Sequence, residues 1–122
     1  MLYAILCYND EDAVGSWTKE HDDKVMADLA VAHTKLAAKG RFGPAVRLLP
    51  TTVATTFRKE PPLVIDGPFA ETKEQLLGFY IIERDSLDGA LEAARELAKA
   101  NPGLGAYEIR PINIFIPEVK VS

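Results

Sequence analysis

The sequence predicts a single α+β domain in which two amphipathic helices cover one face of a sheet. Short runs of apolar, branched and aromatic residues at both ends and in the middle of the chain are typical of buried strands. Two other stretches repeat apolar residues at the spacing of one helical face. The chain has 122 residues, of which 48% are hydrophobic, and this suffices for one ordinary core but not for two.

The first third of the chain predicts a strand followed by a helix. Residues 1–8 are a nearly unbroken apolar run that polar residues stop, as expected of a buried strand. After a loop, Ser16 or Thr18 is a suitable N-cap for a helix that runs to about Lys39. The apolar stripe of this helix comprises Val25, Met26, Leu29, Ala32, Leu36 and Ala37.

The middle of the chain predicts short strands joined by tight turns. Residues 41–58 are rich in strand-forming residues interrupted by prolines, and residues 59–62 have the composition of a turn. Residues 63–65 return as a short buried strand. They lead into residues 66–69, where a glycine permits unusual φ values and a proline fixes its own, so the turn is tightly specified.

The last third predicts a strand, a helix and a closing strand. Residues 76–83 are apolar, and Gly78 among them indicates a bulge or a close approach to the backbone. Asp85 or Ser86 caps the next helix, and residues 106–116 form the closing strand, broken or bulged at its proline. The apolar face of this helix comprises Leu87, Ala90, Leu91, Ala94, Leu97 and Ala98.

Both faces of the predicted sheet must be shielded from water. Residues 1–8, 76–82 and 112–116 are apolar at odd and even positions alike, whereas successive strand residues point to opposite faces. Leaving about eight such side chains wet would forgo on the order of 10 kcal/mol as an upper figure. With no third helix predicted, we expect a second copy of the chain to cover that face as a homodimer. The alternative is that residues 50–69 fold back over the sheet.

Composition limits the location and the partners of the protein. Lys plus Arg number 14 against 18 Asp plus Glu, a net charge of -4, so no positive field attracts nucleic acid or an anionic membrane surface. Cys7 is the single cysteine, and the chain does not open with a secretory signal pattern, which indicates the cytoplasm. The apolar runs are strand-sized, so no membrane span is expected.

The string VIDGPFAETKEQLLGFY at residues 64–80 resembles the signature of the DGPF branch of the YCII-related family. The strand that ends at Tyr8, the segments KLAAKG, LLP and ATTFR, and EIRP near the end agree with it, so the resemblance covers nearly all of residues 1–122. It implies a ferredoxin-like βαββαβ fold with an extra hairpin, in the dimeric α/β-barrel superfamily. Relatives of this kind are thought to use a His and an Asp in a pocket beneath the sheet. A few act on chlorinated or hydroxylated aromatic ring products.

Two residues are candidates for catalysis. Asp66 follows a predicted buried strand and lies on the DGP motif that the resemblance carries over, where a carboxylate is held in a fixed position for acid–base work. His33 faces inward between Leu29 and Leu36, and with Asp66 it would make a proton-transfer pair. The alternatives are that Asp66 only shapes its own turn and that His33 is a half-buried, hydrogen-bonded histidine.

Five further residues are candidates for substrate binding. The strand residues offer polar tips to a pocket, although core or interface packing is their simpler interpretation, and the lysine neutralises an acidic substrate unless its charged run is ordinary surface. These residues are Tyr8, Arg47, Thr56, Lys73 and Tyr80. Too few metal ligands are suitably spaced for zinc or iron, and no dinucleotide or phosphate loop is present, so no cofactor and no metal are expected.

Two functions are compatible with these residues. The first is a cofactor-independent lyase or isomerase that shuttles protons on a small organic substrate with His33 and Asp66. The second is a non-catalytic module that binds a small ligand in the same pocket, in a stress-regulatory setting suggested by relatives encoded near extracytoplasmic sigma factors. A carboxylate of Asp66 within hydrogen-bond reach of His33 would favour the enzyme.

Overall fold

The computed structural model describes residues 1–118, which form a main sheet, an additional hairpin and three helices. The strands are β1 (Leu2–Asn9), β2 (Phe42–Arg47), β3 (Thr55–Lys59), β4 (Pro62–Asp66), β5 (Gln75–Glu83) and β6 (Ala106–Pro111). The helices are α1 (Glu11–Gly15), α2 (Lys19–Ala37) and α3 (Leu87–Ala100), and a 3-10 turn spans Thr51–Val53.

The main sheet is antiparallel and has four strands in the order β2-β5-β1-β6. The connection from β1 through α2 to β2 crosses over β5, and the connection from β5 through α3 to β6 crosses over β1. This order is that of the ferredoxin-like fold, so the predicted fold class is confirmed. Strands β3 and β4 pair only with each other and form the extra hairpin between β2 and β5.

The core lies between the sheet and the two long helices. Strand β1 contributes Tyr3 and Ile5, and β5 contributes Ile82, which pairs with Tyr3 in register. Leu36 of α2 and Leu97 of α3 are fully buried against them. Each large apolar side chain buried here stabilises the fold by about 1.5–3 kcal/mol. The predicted stripes are confirmed in part: most of their members are buried, but Met26 and Leu87 are 44% and 51% exposed, and the unpredicted Ala93 is buried.

Local side-chain bonds fix the ends of both long helices. The Thr18 hydroxyl accepts a hydrogen bond from the backbone N–H of His21 at 3.1 Å and begins α2, and the Ser86 hydroxyl accepts one from Gly89 at 3.3 Å and begins α3. Each satisfies an N–H group that has no partner within the first turn of the helix. The structure thus selects Thr18 and Ser86 among the predicted caps.

Helix α1 was not predicted, because the acidic segment before it has the composition of a loop. Its N-cap is Asp10, whose carboxylate accepts the backbone N–H of Asp12 at 2.9 Å. The carboxylate of Glu11 accepts the backbone N–H and the hydroxyl of Thr51 at 2.8 and 2.7 Å, which anchors the helix to the 3-10 turn. Five residues are thereby held helical by capping and by tertiary hydrogen bonds rather than by an apolar stripe.

Two predicted strands differ from the structure. The closing strand ends at Pro111 rather than at residue 116, because its partner β1 begins at Leu2 and offers no further backbone to pair with. The strand before Asp66 was predicted to be buried, but Leu63 and Val64 of β4 are 51% and 65% exposed. The hairpin lies outside the main sheet, so most of its apolar side chains are exposed within the described part of the chain.

Among residues 1–118, no helix covers the second face of the main sheet. Ala4 and Leu6 of β1 stand opposite Ile81 and Phe79 of β5, and they alternate with the core residues of the same strands. We call these four residues the open face. The two-sided apolar pattern of the sequence is therefore present in the structure. Both faces of the hairpin are largely exposed, which argues against residues 50–69 as a packed layer over the open face. The four open-face side chains are half-buried within one chain.

No helix within residues 1–118 combines the length and the apolar character that crossing a bilayer requires.

Gly78 brings β2 and β5 unusually close together. A Cβ atom at this position would lie 2.2 Å from the backbone oxygen of Val46, far inside van der Waals contact. The register of β5 against β1 shifts beside it, between Cys7 and Tyr8. Both the bulge and the close approach indicated by the sequence are therefore present, and only a residue without a side chain fits.

Replacing Gly78 by alanine should destabilise the fold, because the added methyl group must push β2 away from β5. We expect Gly78→Ala to lower the free energy of unfolding by about 1–3 kcal/mol, measured by urea denaturation. Gly15→Ala is the matched control, since nothing lies within 4 Å of a Cβ atom there, and its stability should not fall. Equal stability of the two variants would contradict a rigid contact between β2 and β5.

Candidate functional site

A cavity of about 360 Å³ lies between α2 and the main sheet. We call it the helix–sheet pocket. It opens where β1 and β2 end and where β6 begins, beside the end of α3. Its apolar lining includes Val14, Trp17, Val25, Met26, Leu29, Ala45 and Leu77. A concave, mostly apolar cavity with a few inward polar groups is the usual form of a small-molecule site.

His33 and Tyr80 form the central polar pair of this pocket. The His33 Nε2 atom lies 3.4 Å from the Tyr80 hydroxyl oxygen. The imidazole is set in an aromatic cluster, with its ring centroid 5.0 Å from that of Phe42 and 5.3 Å from that of Tyr80. The pair joins the middle of α2 to the second central strand, because Tyr80 pairs with Ile5 on the helix side of the sheet.

Burial keeps this pair uncharged. It lowers the pKa of His33 below its ordinary value of 6.5, because an imidazolium loses hydration among aromatic rings. It also raises the pKa of Tyr80, and the neighbouring Cys7 and Tyr107 add to the effect. Near neutral pH, His33 is therefore a neutral base and Tyr80 a protonated donor, a combination that suits proton transfer or recognition of a ligand oxygen.

Cys7 and Tyr107 add two further protonated groups. They stand opposite each other in the register of β1 and β6, and both line the pocket. Burial raises the pKa of the Cys7 thiol to about 12 and also raises the pKa of Tyr107. Cys7 is therefore a half-buried thiol that keeps its proton, and it is not a nucleophile, since the thiolate is the reactive form. Tyr107 was not among the predicted site residues, although its alternation with Ile109 on the closing strand was a usable signal.

An ion pair stands at the mouth of the pocket. The Arg47 guanidinium, at the end of β2, donates to the Asp22 carboxylate of α2 at 3.0 Å and approaches the Met26 sulfur at 3.5 Å. The two side chains are 54% and 35% exposed, respectively, so the pair is partly solvated. Asp22 was not among the predicted site residues, because nothing in the sequence shows that Arg47 lies across from it.

The predicted site residues divide into two groups. His33, Arg47, Tyr80 and Tyr8 all border the helix–sheet pocket. The side chain of Tyr8, however, points to the opposite face of the sheet from that of its neighbour Cys7, because successive strand residues alternate. The others lie outside the pocket. Their roles stay predictions, and within one chain the structure does not bring His33 together with Asp66.

Each of the three outlying candidates has a defined place on the surface. Asp66 is exposed at the end of β4, while Thr56 donates its hydroxyl to the Gly67 carbonyl at 2.8 Å and so ties down the turn after Asp66. The Gly67 N–H also donates to the Ala54 carbonyl at 2.7 Å. Lys73 borders a shallow acidic depression beside α1. The turn at residues 66–69 is thus fixed by the Thr56 hydroxyl and by a backbone hydrogen bond.

Within residues 1–118, no three His, Cys, Asp or Glu side chains converge at metal-binding distance.

The fold and the pocket together define a small ferredoxin-like α+β protein with a ligand-sized cavity between helix and sheet. The chain belongs to the YCII-related family, since the family model for the YCII-related domain matches residues 1–116. It is also similar to an uncharacterized protein of Rhizobium meliloti (strain 1021), with 54% identity over 119 residues that cover 96% of each chain. The predicted family is confirmed, while assignment to the DGPF branch stays a prediction.

The lowered pKa of His33 makes stability depend on pH. The unfolded chain protonates this imidazole readily while the folded protein resists it, so the full stability is present above about pH 6.5 and falls as the pH drops through the folded pKa. We expect His33→Gln to reduce the stability lost between about pH 7.5 and about pH 5. Denaturation at several pH values measures this.

The control for this prediction is His21→Gln, which replaces an exposed histidine of the same helix. Its pH dependence should match that of the wild-type protein. A His33→Gln variant that loses as much stability in acid as the wild type would contradict burial of a neutral imidazole.

Proposed function

We propose that this protein binds a compact, mostly apolar organic molecule in the helix–sheet pocket and that His33 and Tyr80 move a proton on it. The reaction is then of the lyase or isomerase kind and needs no cofactor. The observation that carries the proposal is the His33–Tyr80 pair, at 3.4 Å, inside a cavity of about 360 Å³. Such a cavity is large enough for a single-ring or double-ring molecule.

The two groups divide the work by their protonation states. Neutral His33 accepts a proton from the carbon next to a carbonyl group, and the Tyr80 hydroxyl donates a hydrogen bond to the oxygen on which negative charge develops. Return of the proton to a different carbon completes an isomerisation, so no oxidant, reductant or second substrate is consumed. The pKa directions of both residues support these roles.

A second candidate function is ligand binding without chemistry. It is supported by the surroundings of His33, which packs against the aromatic rings of Phe42 and Tyr80, while Asp66 does not line the pocket. A histidine that acts as a strong general base is usually oriented by a carboxylate. In this interpretation, the same polar pair recognises the ligand and its occupancy is the signal, in a stress-regulatory setting.

Exchange of hydrogen for deuterium on a small ketone, catalysed by the protein, separates the two candidate functions without knowledge of the natural substrate. The probes are 2-tetralone and 2-cyclohexenone, which are first tested for binding by thermal shift. Exchange at the carbon next to the carbonyl is then followed by NMR in deuterated buffer. We expect the wild-type protein to accelerate exchange, His33→Gln to lose about a hundredfold of the acceleration or more, and Tyr80→Phe to lose about tenfold.

Asp66→Asn is measured beside these variants. A loss comparable to that of His33→Gln would assign Asp66 a part in the reaction, whereas full retention would remove it. Binding of both ketones with no acceleration above buffer would overturn the proton-transfer proposal and favour the binding module. A pocket that takes up no ring compound would overturn both.

We also propose that the protein is a homodimer whose two copies meet through the open face. Four apolar side chains there have no helix above them, and Glu108 and Arg110 stand on the same face at the adjoining edge strand, opposite Leu6 and Ala4. Two residues of opposite charge on one patch are self-complementary under a two-fold axis, because each pairs with the other across the interface. A second copy of the chain is thus the occupant that these observations favour.

Introducing a charge on the open face should separate the copies. We expect the wild-type protein to sediment as a dimer at micromolar concentration and Leu6→Glu to sediment as a folded monomer, because the new carboxylate would be buried without a partner. Val31→Glu is the control, since Val31 is 70% exposed on α2, and it should remain dimeric. A well-folded wild-type monomer under the same conditions would contradict the assembly.

Two finer assignments complete the proposal. The motif at residues 66–69 supports membership of the DGPF branch within the family. The single cysteine, Cys7, is compatible with a reducing compartment, and we propose the cytoplasm as the location.

A further inference from the structure

The mouth of the helix–sheet pocket holds a matched pair of opposite charges. Among the pocket residues within 1–118, Asp22 and Arg47 are the two that carry a formal charge at neutral pH. Their side chains are 3.0 Å apart and come from different elements, the first turn of α2 and the end of β2. Each charge is thereby satisfied within the protein before a ligand arrives.

The groups deeper in the pocket are neutral donors and acceptors. Cys7, Tyr80 and Tyr107 keep their protons, since burial raises the pKa of each, and burial also disfavours the charged form of His33. The interior therefore offers hydrogen bonds from hydroxyl, thiol and imidazole groups but no net charge. A charged ligand entering it would lose its hydration without gaining an unpaired counter-ion.

We propose that the helix–sheet pocket selects uncharged ligands and that the Asp22–Arg47 pair is the residue pair that sets this specificity. The inference rests on the proposed function, because it names the class of molecule that the same site takes. An anionic ligand must compete with Asp22 for the guanidinium and meets the repulsion of its carboxylate. A cationic ligand must compete with Arg47 for the Asp22 carboxylate, and the guanidinium repels the ligand.

The Arg47 guanidinium is directed toward α2 at the mouth of the pocket. This group has two neighbours on α2, the Asp22 carboxylate and the Met26 sulfur, and the side chain spans from the edge strand β2 to the helix. Removing the carboxylate alone would leave the guanidinium at the mouth with an unmatched charge. This single change should convert a site for neutral molecules into one that accepts an anion.

Three ligands of nearly equal shape and different charge test this inference. Benzamide is neutral, benzoate is anionic and benzamidine is cationic, and all three place one polar group on the same ring. Binding to the wild-type protein is measured by calorimetry at constant ionic strength and near-neutral pH. We expect benzamide to bind at least about tenfold more tightly than either charged analogue, because like charges at a binding site are strongly unfavourable.

The decisive variant is Asp22→Asn, which should strengthen benzoate binding at least about tenfold and leave benzamide within about threefold of the wild type. Asp28→Asn is the matched control. It removes the same charge from the same helix, at a residue whose partner is Lys24 and which does not border the pocket. Its affinities should therefore follow those of the wild type, and circular dichroism checks that both variants are folded.

The outcomes distinguish this inference from the proposed function. If all three probes bind the wild type equally, or if Asp22→Asn and Asp28→Asn change benzoate binding alike, the charge selection is overturned while the pocket stands as a ligand site. If benzoate binds best to the wild type, Arg47 is an anion receptor and the inference is wrong. If none of the probes binds, the ligand site itself is lost, and charge selection with it.

Discussion

Strands β1 and β5 carry apolar side chains on both faces of one sheet, and this constraint governs the rest of the molecule. On one face, Tyr3, Ile5 and Ile82 form the core with the two long helices. On the other, Leu6 and Phe79 stand without a helical cover. A sheet of this kind needs a layer on each side. The positions of the pocket, the helices and the proposed second copy all follow from how these two layers are supplied.

The helix–sheet pocket forms on the covered side, where the core side chains become small. Ala45 and Gly78 line the cavity on β2 and β5, where larger residues such as those at the sheet centre would fill it. Gly78 also permits the close approach of β2, which carries Arg47 to the mouth of the pocket. The absence of a side chain at Gly78 thus affects both the volume of the pocket and the position of Arg47 at its mouth.

The elements of the fold could be predicted from local pattern, because strand runs, helical stripes and caps such as Ser86 depend on neighbours in sequence. The composition of the site could be predicted only in part. His33 was found because an imidazole in an apolar stripe is conspicuous, but Asp22, Cys7 and Tyr107 were not, since their convergence depends on strand register and helix placement. The burial predicted for the strand before Asp66 failed for a related reason: apolar composition does not reveal which layer covers a strand.

The raised pKa of the Cys7 thiol affects how this residue reacts with oxidants. Peroxides react with the thiolate, and a group whose pKa stands at about 12 presents almost none of that form at neutral pH. The sulfur at the floor of the cavity therefore resists conversion to sulfenic acid and the larger, more polar products that follow it. The thioether of Met26, which is 44% exposed and also lines the pocket, is thus the sulfur more open to oxidation than the thiol of Cys7.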